Sequence, residues 1–298
     1  MEYEHLPALP EIDEEELRKC AEDGDYRPVL FEWYKYIGLL TNFLARIHQE
    51  SDEVNSVKTI HFVVFKGLLN RVSRLMLANV ALSFEGRFGE STLIIDRCIF
   101  ETALKIVWLT IDNSNEKFSR YLADGLKSEL ELRASIEANI KLRAGKTIPV
   151  EDRMIENIGS MISASGLTEE EILKEKKLPT VADILRQSGY SDLSYIVGMK
   201  VGSHAVHGTW PALLFHYLVK TDTGEYHPRD ADTETDFIQY VYVCLLVLDA
   251  LSAWTDWAFS GGKTQTEILG ICSKANTAIQ ALLAASVDAK ESALAVKS

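Results

Sequence analysis

A chain of 298 residues with 47% hydrophobic and 25% charged side chains has the make-up of a soluble globular protein, with ample apolar material for a core. The net charge of −13 repels polyanions on average, so contact with nucleic acid would need a local basic patch. Acidic residues gather at Glu11, Asp13–Glu16, Glu169–Glu171 and Asp230–Asp236, which read as solvated faces and helix starts.

Cys20, Cys98, Cys244 and Cys272 are scattered, with no CxxC pair. Two of them lie in apolar helical runs, as reduced thiols used as small hydrophobes do, and this points to the cytoplasm. The acidic N-terminus with Pro7 and Pro10 does not resemble a signal peptide. The apolar stretch Phe237–Phe259 invites a membrane reading, but Gln239, Asp249 and Asp256 interrupt it, so it is expected to be a core helix.

Helical periodicity dominates, and only seven prolines punctuate the chain. Residues 1–28 read as a polar arm. Val29–Gln49 forms an amphipathic helix with Phe31, Trp33, Tyr34 and Tyr36; the last three are candidates for a partner or dimer surface. Asn55 or Ser56 caps a long helix to about Ser83. The turn Glu85–Ser91 leads into Thr92–Ile111, and Asn113–Asn115 leads into the more polar Phe118–Leu142. After a loop at Ala144–Pro149 come short helices at Glu151–Ser163 and Glu169–Lys176. The second opens with a capping box at Thr168 and Glu171. Another short helix lies between Pro179 and Gly189. A helix from Leu193 to His207 is ended by Gly208. Thr221–Arg229 is a turn or small hairpin. An apolar helix begins at Thr233, Thr264–Ala285 is the last helix, and residues 286–298 form a fraying tail. The fold class expected is all-α: one domain over 29–285, a single bundle of long antiparallel helices with a short-helix insertion at about 151–187.

Chemistry concentrates in two helices. Lys200, Ser203, His204 and His207 share one helical face, with Gly198, Gly202 and Ala205 towards the other side, where a neighbouring helix can come close. Two histidines three apart can act as acid and base or chelate a metal, because a neutral imidazole carries both a lone pair and a proton. HxxH is not the HExxH of helical zinc sites, and one core and one half-exposed histidine is the bland alternative. Arg97 and Glu101 form an i, i+4 pair continued by Lys105. This row is either a solvated stripe or an interior pair facing His207, where Arg97 would meet an anion and Glu101 would orient an imidazole. Asp249 is part of a polar stripe with Ser252 and Asp256, or a third carboxylate for the site; with His204 and His207 it gives a weak metal alternative. No GxSxG elbow supports a Ser203–His207–Asp249 triad, and no Walker A or Rossmann fingerprint calls for a cofactor. Lys66, Arg71, Arg74 and Arg87 beside Phe65 and Phe84 make a modest basic strip.

Arg97–Glu101 in a helix ending in Trp108, followed by Tyr121, and Tyr195, Ser203, His207 and Gly208 further on, resemble a bacterial all-helical family of unknown function, family 5677. The resemblance spans roughly Ser91–Pro211 and implies a helical bundle with no assigned reaction. A more distant likeness is to HEPN-type ribonucleases of toxin and phage-defence systems, helical and usually dimeric, with an Arg and a His close together on one helix. This chain departs from that pattern: Lys200 or Arg97 would have to take the part of the missing Arg. Two readings follow. One is a metal-independent enzyme acting on RNA or another phosphate-bearing substrate, with His207 as acid or base and Arg97 stabilising anionic charge. The other is a non-catalytic sensor or interaction module. Either is expected to be a homodimer meeting RNA or a partner protein, away from membranes.

Overall fold

Several helices begin where a short polar side chain satisfies amides that the helix itself leaves unpaired. The structure, a computed structural model, describes residues 6–83, 86–112 and 114–297, with the side chains at 195, 197, 201 and 290–297 left aside. Asp13 caps α1 (Glu14–Asp23) by accepting from the Glu16 amide at 2.6 Å. The expected N-terminal arm thus contains a helix, held by the buried Cys20 and closed by Gly24 in the left-handed conformation. Then follow α2 (Arg27–Leu44), α3 (Thr59–Leu82), α4 (Gly89–Thr110) and α5 (Asn115–Leu142), the last capped by Ser114. Next come α6 (Pro149–Ser165), α7 (Glu169–Lys174) and α8 (Val181–Gln187). The capping box predicted at Thr168 and Glu171 is in place, with the two side chains exchanging bonds with each other's backbone amides.

The expected regular helix from Leu193 to His207 is instead α9 (Asp192–Tyr195), a π-helical turn over Ile196–Val201 and α10 (Gly202–His207). After α11 (Trp210–Ala212) a second π-turn covers Leu213–Tyr217. The hairpin foreseen at Thr221–Arg229 is present as antiparallel β1 (Leu218–Lys220) and β2 (Tyr226–Pro228). The apolar helix α12 (Phe237–Ala258) starts later than Thr233. Asp236 is its cap, accepting from the Ile238 amide, while Gln239 returns a bond to the Asp236 amide. Thr233 is occupied elsewhere, donating its amide and hydroxyl to Glu90 at the start of α4. The last helix, α13 (Lys263–Lys297), runs through the segment expected to fray.

The fold is all-α but for the hairpin. Where the sequence suggests one domain with an insertion at 151–187, the contacts divide the chain into two compact units. One unit holds residues 58–61 and 112–180, and its core joins Ala123, Leu126 and Leu130 of α5 to Ile158 and Ile162 of α6 and Ile172 of α7. The other holds the rest of the chain. Its centre is α12, which packs against α4, α2 and α13 and buries Trp254, Leu251 and Val247. Both α12 and Lys263–Ala289 are long and apolar enough to cross a membrane by length and composition. In α12 the apolar side chains are mostly buried within the fold, as a core helix requires, whereas the outer face of α13 carries small and polar side chains.

Trp33, Tyr34 and Tyr36, expected at a partner surface, are buried. Tyr36 donates to the Pro7 carbonyl at 3.3 Å, Trp33 sits edge-on to Tyr36, and Tyr34 reaches into the core.

Replacing Asp236→Ala removes the acceptor that starts α12. The expected loss is about 1 kcal/mol of stability, read as a lower urea midpoint with an unchanged slope.

Candidate functional site

Four helices of the larger unit meet at one carboxylate. Asp96 of α4 is buried, and its Oδ1 accepts from Asn79 Nδ2 of α3 at 2.6 Å and from the Tyr34 hydroxyl of α2 at 3.2 Å. Its Oδ2 accepts from Gln239 Nε2 of α12 at 2.9 Å, and the same amide donates to Thr92 Oγ1 at 3.0 Å. Burial pushes the Asp96 carboxyl up to about 7, against the pull of the three donated bonds. The Tyr34 phenol is raised as well, by burial first and by Asp96 second.

Arg97 follows Asp96 and leaves α4 about 100° further round the helix. Its Nε donates to Glu101 Oε1 at 3.1 Å, and the two side chains are 20% and 31% exposed, so the pair is half-sheltered rather than a solvated stripe. Arg97 Nη1 is buried and has no hydrogen-bond partner among the described residues. A guanidinium donor kept from water without an acceptor is uncommon and calls for an explanation.

The segment carrying the predicted histidines lies directly on this pair. The expectation that Gly198 and Gly202 let a neighbouring helix come close is met. A Cβ on Gly202 would stand 2.9 Å from Arg97 Cβ, and one on Gly198 would stand 2.3 Å from the Phe100 ring. Any larger residue would push this segment off α4. The π-turn between Tyr195 and Gly202 adds a residue to the helical repeat, a local form that recurs at functional sites. Between α4, this turn and α12 lies a cavity of about 100 Å³. Phe100 and Tyr242, stacked at 5.7 Å, line it together with Leu93, Arg97, Asp96 and Gln239. Tyr242 also donates to the Ser194 carbonyl at 2.8 Å, fastening α9 to α12.

The other predicted residues are more dispersed. Lys200 lies on the π-turn and is exposed. His204 is exposed and shares a 2.8 Å hydrogen bond with Thr209 Oγ1. Ser203 is half-buried, and His207 is exposed without a hydrogen-bond partner among the described residues. His207 stands five residues beyond Gly202, about 7 Å further along the axis, and does not line the cavity. Asp249 accepts from the Tyr190 hydroxyl at 3.1 Å and is not in the cavity wall. Among the described residues no three His, Cys, Asp or Glu side chains gather to hold a metal, so the metal alternative of His204, His207 and Asp249 finds no geometric support. In the basic strip, Arg71 donates to Thr102 Oγ1 at 3.2 Å and Phe65 is buried; Phe84 lies outside the described residues, as does the side chain of Tyr195. Trp108 is buried and donates to Gln187 Oε1 at 2.8 Å.

Asp96 and Gln239 were not singled out from the sequence. The available signal was an Asp directly before Arg97 inside an apolar helix, one turn from Thr92.

The family model described as Family of unknown function (DUF5677) matches residues 62–226, more than half of the chain, and the chain belongs to this family. The match takes in α4, the π-turns and β1, and ends at Tyr226, the first residue of β2, before α12. No curated protein and no solved structure gives a match.

An ordinary aspartate loses its proton near 3.8, and Asp96 holds its proton to about 7, so the folded state binds more protons than the unfolded chain between those values. The contribution is therefore largest at low pH and is lost as pH rises through about 7. Against Asp96→Asn, which cannot titrate, the wild type is expected to gain roughly 2–3 kcal/mol between pH 8 and pH 5, measured by urea unfolding at both values.

Proposed function

We propose that this member of the family is a helical interaction module, docking a basic protein segment with an apolar face on residues 193–226. One observation carries the reading: Leu193, Trp210, Phe215, Tyr217, Val219 and Tyr226 are all exposed, Trp210 by 57% and Phe215 by 69%. Phe215, Tyr217, Val219 and Tyr226 follow one another along the second π-turn and the hairpin, and Trp210 of α11 meets Tyr226 edge-on at 6.0 Å, so the ridge is continuous there; Leu193 stands apart on α9. Apolar surface of this extent marks interaction sites on soluble proteins, and aromatic side chains dominate the centres of such sites.

Charge selects the occupant. Asp222, Glu225, Asp230 and Asp232 are exposed on and beyond the hairpin and outnumber the cations there, Lys220, which leans over the Tyr226 ring, and the exposed Arg229. With −13 over the chain, this rim disfavours both RNA and a second copy of the chain and attracts a cationic partner. The same reading keeps the chain in the cytoplasm, in accord with four unpaired thiols.

The ribonuclease reading rests on a single contact, that of Gly202, on the helix of His207, with Arg97. Against it stand the exposed His207, which has no hydrogen-bond partner among the described residues, and the acidic balance of the chain. A general base is normally held by a second group that fixes its ring.

Two experiments test this. In fluorescence titration, an amphipathic peptide with leucines on one face and lysines on the other should bind, more weakly as salt rises, while its glutamate counterpart should not. The paired change Trp210→Ser and Phe215→Ser should weaken binding at least about tenfold, with the melting temperature unchanged. Equal binding by the variant, or a dimer in sedimentation that the same variant dissolves, would overturn the basic-partner reading. Separately, single-stranded and hairpin RNA should stay intact with the wild-type chain. Cleavage that disappears in His207→Ala would establish the ribonuclease reading instead.

A further inference from the structure

The ridge leaves unexplained why the Arg97 guanidinium, bonded only through Nε among the described residues, stands in the wall of an apolar cavity. We infer that the cavity under the π-turn is a binding site for a short-chain monocarboxylate, whose carboxylate pairs with Arg97 and whose hydrocarbon tail lies against Phe100 and Tyr242.

Size sets the first limit. A volume of about 100 Å³ suits a molecule of a few heavy atoms, on the order of butyrate, rather than a nucleotide. The wall sets the second. Leu93, Ile238 and Val243 join the two aromatic rings, and the backbone of Gly198 and Gly202 closes the side under the π-turn. Water gains little from such a lining, whereas a hydrocarbon tail replaces it with dispersion contacts.

Charge sets the third limit and decides between anions. Arg97 is the one cation in the wall among the described residues, and its Nε is already held by Glu101. Nη1 is sealed off, so the donor left to a ligand is Nη2, which makes no hydrogen bond among the described residues. A single charge-assisted bond to the guanidinium suits one carboxylate, since the Gln239 amide is already taken up by Asp96 and Thr92. A phosphate dianion would bring two charges beside Glu101 and Asp96 with one cation to meet them, and it has no tail for the apolar wall. The Asp96 carboxyl lies in the same wall but is fully engaged by Tyr34, Asn79 and Gln239, so it limits the site without competing for Arg97.

The inference does not depend on the docking ridge, since no exposed residue of the hairpin lines the cavity. Calorimetric titration of the full chain with acetate, butyrate, octanoate and inorganic phosphate tests it. Butyrate is expected to bind saturably, with a dissociation constant on the order of 1 mM, tighter than acetate and octanoate, while phosphate gives no saturable heat. Arg97→Gln, which keeps the bulk and removes the charge, should weaken butyrate by about tenfold or more. Val243→Phe, which fills the space and leaves Arg97 in place, should abolish binding, and it stands in if Arg97→Gln does not fold. Absence of saturable butyrate binding to the wild type, butyrate affinity unchanged in the folded variants, or phosphate bound more tightly than butyrate would each overturn the proposal. Loss of peptide docking with butyrate binding intact would strike only the ridge.

Discussion

One buried carboxylate organises the larger unit. Asp96 draws Tyr34, Asn79 and Gln239 from three other helices onto α4, so the mutual rotation of α2, α3, α4 and α12 is fixed by hydrogen bonds whose geometry allows little slack. Apolar packing alone would tolerate small slips between helices, since the hydrophobic effect has no direction. A carboxylate with three donors does not. Removing one donor would leave part of a carboxylate buried without compensation, a cost of about 1–3 kcal/mol, so the network is stable only as a whole.

That fixed rotation decides where Arg97 goes. With Asp96 turned into the core, the next side chain must leave by the flank of α4, where Glu101 one turn on can catch its Nε. The glycines do the rest. Gly202 settles over Arg97 and Gly198 over Phe100, at distances no other residue type would permit without displacement. The segment is thereby pressed onto α4 along one side.

Much of this was legible in the sequence, and the rest was hidden for identifiable reasons. The helices came from apolar periodicity and from caps such as Thr168 with Glu171, signals that depend only on neighbouring residues. The close approach at Gly198 and Gly202 and the hairpin near Thr221–Arg229 were readable for the same reason. Two readings failed where the deciding partner is distant in sequence, and a third where the sequence carries no local sign. Thr233 looked like a helix start, but Glu90, 143 residues away, claims it, and the cap falls to Asp236. Trp33, Tyr34 and Tyr36 looked available on an amphipathic helix, but a core network and the N-terminal segment cover them. The π-turn leaves no sequence mark of its own, since Ile196–Val201 has the composition of an ordinary apolar helix turn. The candidate site was half visible. Arg97 with Glu101 and the glycine-bearing segment meet, yet His207, chosen for its chemistry, continues past the contact into solvent.

The stretch from Asp192 to Pro228 therefore has two unlike sides. Its inner side is bare backbone and small residues, shaped by the need to lie flat on α4. Its outer side carries large apolar groups that find no cover in the chain's own fold. A segment fixed only along its inner side, with unpaired strand edges and exposed rings outside, would gain stability from anything that covers those rings. The inner contact also depends on Arg97 lying beneath Gly202, and Arg97 is also part of the wall of the apolar cavity. The two sides are joined through a few residues of backbone rather than through a loose linker. Any shift of Arg97 must move Gly202, and with it the start of the ridge, so an occupant of the cavity and a partner on the ridge would act on the same short helix from opposite faces.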